Sequence, residues 1–125
     1  KIRQAKVDGI ANYIPLQSIE RGNSKGKLLV LGWGSTYGSI NTAVNQCIEE
    51  GIEVSHAHIK YLNPLPQNLN KILRNFDKIL IPEMNNGQLV KIIREKFLVD
   101  AIGLNKIQGI PFTAKEITDK IRELL

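Results

Sequence analysis

The stretch Lys27 to Gly38, reading KLLVLGWGSTYG, constrains the fold more than any other part of the chain. Leu28 to Leu31 is an unbroken apolar run with no polar face, the pattern of a strand buried on both sides of a sheet. It runs into Gly32-Trp33-Gly34-Ser35-Thr36-Tyr37-Gly38, and from Ser39 onward apolar residues recur at helical spacing. Strand, glycine turn and helix within about two dozen residues make the first half of a βαβ unit. Gly32, Gly34 and Gly38 let the backbone turn where a Cβ would clash, and Ser35 or Thr36 is placed to cap the helix.

The rest of the chain repeats this alternation. Residues 1–13 lack periodicity and read as a linker or packed arm; the start at Lys1, with neither Met nor an apolar leader, reads as a piece of a longer chain. Ile14 to Ile19 reads as a short edge strand, because Pro15 cannot donate to a central ladder. The turn Glu20–Gly26 is too short for a parallel crossover, so this strand is expected to run antiparallel. Ile40, Ala43, Val44, Cys47 and Ile48 then mark a helix face that ends at Gly51.

A strand over Glu53–Ile59 follows, closed by a rigid turn through Pro64 and Pro66 whose PxP spacing is not a PxxP ligand. The pattern next predicts a helix over Gln67–Phe76, a strand over Lys78–Pro82 and a helix carrying Leu89, Ile92, Ile93, Lys96 and Phe97. A last strand over Leu98–Ile102 leads to a capping box of Thr113 with Glu116 and a helix to Leu125. The expected class is α/β, a mostly parallel sheet with one antiparallel edge strand and helices on both faces.

In such a fold the stretches 32–38, 60–66, 83–88 and 103–112 all follow strand ends and gather on one rim, where α/β sheets take ligands or partners. Their ionisable groups are Glu83, Lys60 and Lys106, a poor set for acid–base or nucleophilic chemistry and a better one for orienting a neighbour. Gly32, Gly34 and Gly38 give a G-x-G-x-x-x-G spacing, one residue longer than a dinucleotide fingerprint, and no acid follows the next strand to hold a ribose. A phosphate cradle for some other ligand stays open at this rim.

Strand alternation puts His56 and His58 on one face, but no third ligand stands at metal-binding spacing, so both read as structural. The single cysteine, Cys47, lies in the helix stripe as a core residue; it excludes an internal disulfide and fits a reducing compartment, the cytoplasm. No apolar run approaches the roughly 20 residues that cross a bilayer, so no membrane partner is expected. The net charge of +5 is uneven: residues 1–27 carry +4 and the remainder +1. The excess reads as a solvated leader, with a phosphate-binding arm as the sharper alternative.

Together, GWGSTYG, KYLNPLP, IPEMNNGQL and LVDAIGLNKIQGIPF resemble the C-terminal domain of the alpha subunit of 2-oxoacid:ferredoxin oxidoreductases, nearest the 2-oxoglutarate type, over residues 14–125. The resemblance implies a transketolase C-terminal-like fold, a three-layer α/β/α domain with a five-stranded mixed sheet. It also implies a complete enzyme that oxidatively decarboxylates a 2-oxoacid on thiamine diphosphate with Mg, passes electrons through iron–sulfur clusters to ferredoxin and forms an acyl-coenzyme A.

None of those cofactors is expected on this chain, which alone should be inactive; Cys47 cannot hold a cluster that needs about four thiolates. Implied partners are an upstream thiamine-binding domain of the same chain, the beta subunit, ferredoxin through the complex, and a second copy across a dimer axis; nucleic acid is not among them. Candidate interface or coenzyme A-side residues are Trp33, Ser35, Thr36, Asn63, Glu83, Asn85, Gln88, Asn105, Lys106 and Gln108. Gly32, Gly34, Gly38, Pro64, Pro66, Gly87, Gly103 and Gly109 are expected to shape turns, and Asn86 stands where the family more usually has an apolar residue. The bland alternative is that the polar rim residues cap helices and satisfy loop backbones. A free-standing module for a phosphorylated ligand or nucleic acid is the competing function.

Overall fold

The apolar run of Leu28–Leu31 lies at the centre of the sheet, with all four side chains fully buried. The structure is a computed structural model and describes residues 16–60, 65–84, 88–106 and 110–125. Five strands, β1 (Ile19–Arg21), β2 (Gly26–Trp33), β3 (Ser55–Ile59), β4 (Phe76–Glu83) and β5 (Ile102–Asn105), form one sheet in the order β1-β3-β2-β4-β5. All neighbours are parallel except β1, which runs antiparallel to β3 at the edge. The helices are α1 (Tyr37–Glu49), α2 (Leu69–Leu73), α3 (Gln88–Phe97) and α4 (Ala114–Leu124).

Alternation along β2 divides the core in two. Leu29 and Leu31 join Leu69 and Leu73 of α2 and Leu89 and Ile93 of α3. Leu28 and Val30 face Ile40, Val44 and Cys47 of α1 and Ile117 and Ile121 of α4. Each such side chain contributes about 1.5–3 kcal/mol by leaving water. The expected mixed sheet with an antiparallel edge is therefore what forms.

Several boundaries differ from the expectation. β1 begins at Ile19, and Glu20 and Arg21 belong to it instead of to the turn. The strand stops at Gly22, whose φ of +93° and tight contact with Ser55 and the Val54 carbonyl exclude a side chain. Ile14, Pro15 and the N-terminal arm lie outside the described residues. Phe76 opens β4 instead of ending the preceding helix, because its backbone pairs with Gly26. Its spacing from Leu73 fits a helix face, but Asn75 already spends its carbonyl on the Gly26 N–H.

The last strand is displaced most. Leu98–Ala101 is irregular and β5 takes Ile102–Asn105, keeping only Ile102 of the expected strand and adding Gly103–Asn105 from the expected loop. Leu98 sits at φ +54°, the left-handed exit from α3, and donates its N–H to the Arg94 carbonyl. Gly103 is thus a strand residue, not a turn; Val90 Cγ2 would lie 3.1 Å from any Cβ placed there. Likewise Gly38 lies in the first turn of α1 and not in the turn before it.

A leucine at a left-handed position pays roughly 1–2 kcal/mol that glycine does not. With 83% of its surface exposed, Leu98 recovers little by packing. Leu98→Gly is therefore expected to raise the stability of the isolated chain by about 0.5–1 kcal/mol in urea unfolding; a loss of that size would mean that the leucine holds the helix exit.

Candidate interface at the sheet rim

The rim is built around one buried carboxyl group. Glu83 ends β4 with 1% of its surface exposed. Its Oε1 accepts from the Leu89 N–H at 2.8 Å and from the Trp33 indole Nε1–H at 3.1 Å, while Oε2 accepts from the Val90 N–H at 3.1 Å. One side chain thus fastens the end of β2, the end of β4 and the start of α3. It occupies the position where the α3 N-terminus would otherwise attract an anion.

Trp33, Gly34, Ser35, Thr36, Glu83 and Met84 line a cleft of about 200 Å³ between the ends of β2 and β4. Gly34 turns the chain at φ +65°, and Gly32 stays bare because a Cβ there would come within 2.4 Å of Ile40 Cδ1 and 2.9 Å of His58 Nδ1. Ser35 is exposed in a single 3-10 turn. Thr36 does not cap α1; its hydroxyl donates back to the Trp33 carbonyl at 2.9 Å. The expectation of a Ser35 or Thr36 cap therefore fails: Thr36 sits at φ −79° and ψ −4°, in the helical region, where a capping residue takes an extended backbone.

Lys106 is committed as well. Its Nζ donates to the Pro111 carbonyl at 2.9 Å, pairs with Glu116 and stands over the Phe112 ring. Its backbone N–H reaches the Glu83 carbonyl at 3.0 Å, so the end of β5 is tied to β4. The Thr113–Glu116 capping box forms as expected, and Lys106 joins it across the loop. The Lys106 hydrogen bond is the main cause holding the Glu116 carboxyl below its ordinary range.

Asn105 is exposed at the end of β5 opposite Glu83, and Gln88 is the exposed first residue of α3. Pro66 is buried beside Lys60, Leu16 and His58 in a second hollow of about 130 Å³. Asn63, Asn85, Asn86, Gln108, Pro64, Gly87 and Gly109 lie outside the described residues. The described candidates thus fall into one group at Trp33, Ser35, Thr36 and Glu83, with Gln88 beside it at the start of α3, and a second at Asn105 and Lys106, joined through Glu83. A roomier hollow lies at the opposite pole, an open depression lined by Lys25, Lys27, Glu53, Asn75 and Asp77.

Sequence reasoning missed two devices. Asn68 clamps the segment before β1 by accepting from the Gln17 N–H at 2.7 Å and donating to its carbonyl at 2.8 Å. Gln17 in turn donates to the His58 carbonyl. The second is a cluster of His56, His58 and Tyr37, with the His56 ring 5.3 Å from Tyr37 and 5.9 Å from His58. His56 is fully buried and neither of its ring nitrogens has a hydrogen-bond partner. Burial, reinforced by His58, lowers its pKa to about 4. Among the described residues, no group of three or more His, Cys, Asp or Glu could hold a metal ion.

A central strand entering a glycine turn, parallel neighbours on both sides and one antiparallel edge define a domain of the transketolase C-terminal type. A split-gene transketolase superimposes with a TM-score of 0.67 over 87% of this chain and 41% of its own, at 14% identity, a likeness of fold. The chain belongs to the family of pyruvate:ferredoxin oxidoreductase core domain II, which matches residues 26–122.

The chain is 42% identical over its whole length to 2-oxoglutarate oxidoreductase subunit KorA of Mycobacterium tuberculosis, of which it covers 19%. It also superimposes with a TM-score of 0.89 and 26% identity on the 2-oxoglutarate:ferredoxin oxidoreductase of Magnetococcus marinus, solved with 2-oxoglutarate, coenzyme A and succinyl-CoA bound; 98% of this chain and 22% of that one are matched. The chain therefore spans about a fifth of the length of the relatives it matches.

Proposed function

We propose that this chain is the C-terminal, non-catalytic assembly domain of the alpha subunit of a cytoplasmic 2-oxoacid:ferredoxin oxidoreductase, with 2-oxoglutarate as the 2-oxoacid. In this reading residues 14–125 form the domain and residues 1–13 link it to a thiamine-binding domain of the same polypeptide. The beta subunit is its other neighbour. The complete complex would decarboxylate the 2-oxoacid on thiamine diphosphate, form an acyl-coenzyme A and pass electrons through iron–sulfur clusters to ferredoxin.

The observation that carries the reading is the commitment of Glu83 and Lys106, two of the rim's three ionisable groups; the third, Lys60, is an exposed cation. Glu83 spends both oxygens on Trp33 and the start of α3, and Lys106 is spent on Glu116 and the Pro111 carbonyl. A general acid or base must be free to meet a substrate proton, and neither group is. The same commitments misfit a Mg²⁺–diphosphate site, which needs an oxygen ligand facing the metal. An iron–sulfur cluster finds one thiol, on buried Cys47.

Exposed apolar residues remain at this end: Leu16 before β1, Tyr37 at the start of α1 and Ile110 after β5. That combination suits a covered surface better than a catalytic one.

Calorimetric titration with coenzyme A, and separately with thiamine diphosphate and Mg²⁺, tests the assignment. No saturable heat is expected from either. Saturable binding of coenzyme A that is lost in Ser35→Ala and Lys106→Ala would make the rim a ligand site.

A further inference from the structure

Alternation along β3 sets His56 and His58 on the α1 side of the sheet. There the ring of Tyr37, at the start of α1, lies 5.3 Å from one imidazole and 5.0 Å from the other. The Gly34 carbonyl can only accept, so His58 Nε2, 3.2 Å away, carries the proton and donates it. His58 Nδ1 is then a buried acceptor without a partner, and both nitrogens of fully buried His56 are likewise unpaired. The cluster is thus built for two neutral rings. A proton on His56 would bury a charge with nothing to accept from it, and one on His58 would make Nδ1–H an orphaned buried donor.

The groups packed around the pair offer no offsetting anion to His56. Opposite it on β1, Arg21 is itself a cation and reaches over to Asn45 of α1, donating at 2.8 Å. β2 sets Val30 beside His56 and Gly32 beside His58, neither of them ionisable. Tyr37 is what α1 places against both rings. Glu20 of β1 favours a charge on His58, Lys60 just past β3 opposes it, and a charge on His58 opposes one on His56.

The cluster also holds a weakly fastened segment. α1 has no side-chain cap, so its first N–H groups lack a capping partner. Besides the His58–Gly34 bond, its start is tied by Thr36 to the Trp33 carbonyl at 2.9 Å and by Ser39 to the Phe112 carbonyl at 2.6 Å. Tyr37 is 40% exposed and packs on both imidazoles, so lifting it brings water to them.

We propose that His56, His58 and Tyr37 form an acid-released latch on the sheet rim. With both imidazoles neutral, Tyr37 seats the start of α1 and the turn Gly34–Thr36 on β3. Protonation of the pair by solvent releases that segment locally, while the sheet and the helices α2 and α3 on its other face stay folded. Burial holds His56 at about 4 in the closed state, against an ordinary 6.5. From about pH 7 to about pH 5 the released state should therefore gain on the order of 10–30-fold.

Hydrogen–deuterium exchange read by mass spectrometry on the complete oxidoreductase tests the latch. Exchange is followed at about pH 7 and about pH 5, corrected for the intrinsic pH dependence of amide exchange, with and without low urea. Peptides over 34–44 should lose protection in acid on the order of 10–30-fold, with little dependence on urea. Those over 88–97 should stay better protected and keep the steep urea dependence of global unfolding. His56→Phe, which keeps a ring against Tyr37, should abolish most of the acid response. Tyr37→Ala removes a side chain that belongs to neither core. It should cost 34–44 its protection at neutral pH as well, leaving little for acid to change.

Equal protection of 34–44 at the two pH values would overturn the latch, as would an acid response that persists in His56→Phe. Wild-type behaviour in Tyr37→Ala would overturn it too. So would a loss shared by 34–44 and 88–97 with one urea dependence, because acid would then unfold the domain as a whole.

Discussion

Glu83→Leu is expected to cost the chain about 3–5 kcal/mol, a large share of the 5–15 kcal/mol that holds a domain together. The substitution leaves three donors, the Leu89 and Val90 N–H groups and the Trp33 indole N–H, facing an apolar side chain. Each orphaned buried donor costs about 1–3 kcal/mol, partly offset by the better burial of leucine. Glu83→Gln keeps one acceptor oxygen and should lose about 1–3 kcal/mol. Urea unfolding measures both, and Trp33, the chain's one tryptophan, reports the same event because its indole loses its partner. A loss below about 1 kcal/mol for Glu83→Leu would mean that water or a relaxed loop replaces the carboxyl group.

The second large effect is one of pH. Burial lowers His56 from an ordinary 6.5 to about 4 in the folded chain. As pH falls through this interval, the unfolded chain takes up a proton that the folded chain refuses. Stability from this residue is therefore intact above pH 6.5 and falls as pH drops toward 4, by about 3 kcal/mol in all.

His58 is lowered in the same direction, mainly by burial, with the Gly34 carbonyl and Glu20 working against the shift. His56→Phe, which keeps a ring against Tyr37, should flatten the stability profile across this window. Glu116 does not confuse the comparison, because its carboxyl lies below the ordinary range and loses its contribution at lower pH. Parallel profiles for the two proteins would show that the buried imidazole finds a partner on protonation.

The sequence carried the sheet and withheld the clamps. Leu28–Leu31 could be read as a central strand because burial on two faces removes every polar residue from the run. The capping box at Thr113 and Glu116 was legible because both halves lie within one helical turn. Pro15 and a seven-residue turn announced an antiparallel edge, though the strand itself begins at Ile19.

What stayed hidden depends on contacts between distant residues. Nothing local distinguishes Glu83 from a rim acid poised for chemistry, since its partner Trp33 is 50 residues away. Lys106 looks like a free cation until Glu116, ten residues on, is folded beside it. Gly103 reads as a turn because its true reason is Val90 on a different element. Leu98 hid the start of β5, because a leucine at a left-handed helix exit gives none of the signal that a glycine would.

The motifs around Gly32, Pro64 and Gly103 identified the family; the side-chain bonds of Glu83 and Lys106 decide what the rim is free to do. With both groups spent inside the domain, Lys60 is the exposed charge left among the three ionisable groups of the rim stretches.

Complementation tests the assembly role most directly. An oxidoreductase lacking residues 14–125 of its alpha subunit would be purified, and this chain then added back while 2-oxoglutarate-dependent ferredoxin reduction is followed. The truncated complex should fail to assemble and turn over, and the added chain should restore both at a saturable, one-to-one ratio. A truncated complex that assembles and reduces ferredoxin at the full rate would contradict that role.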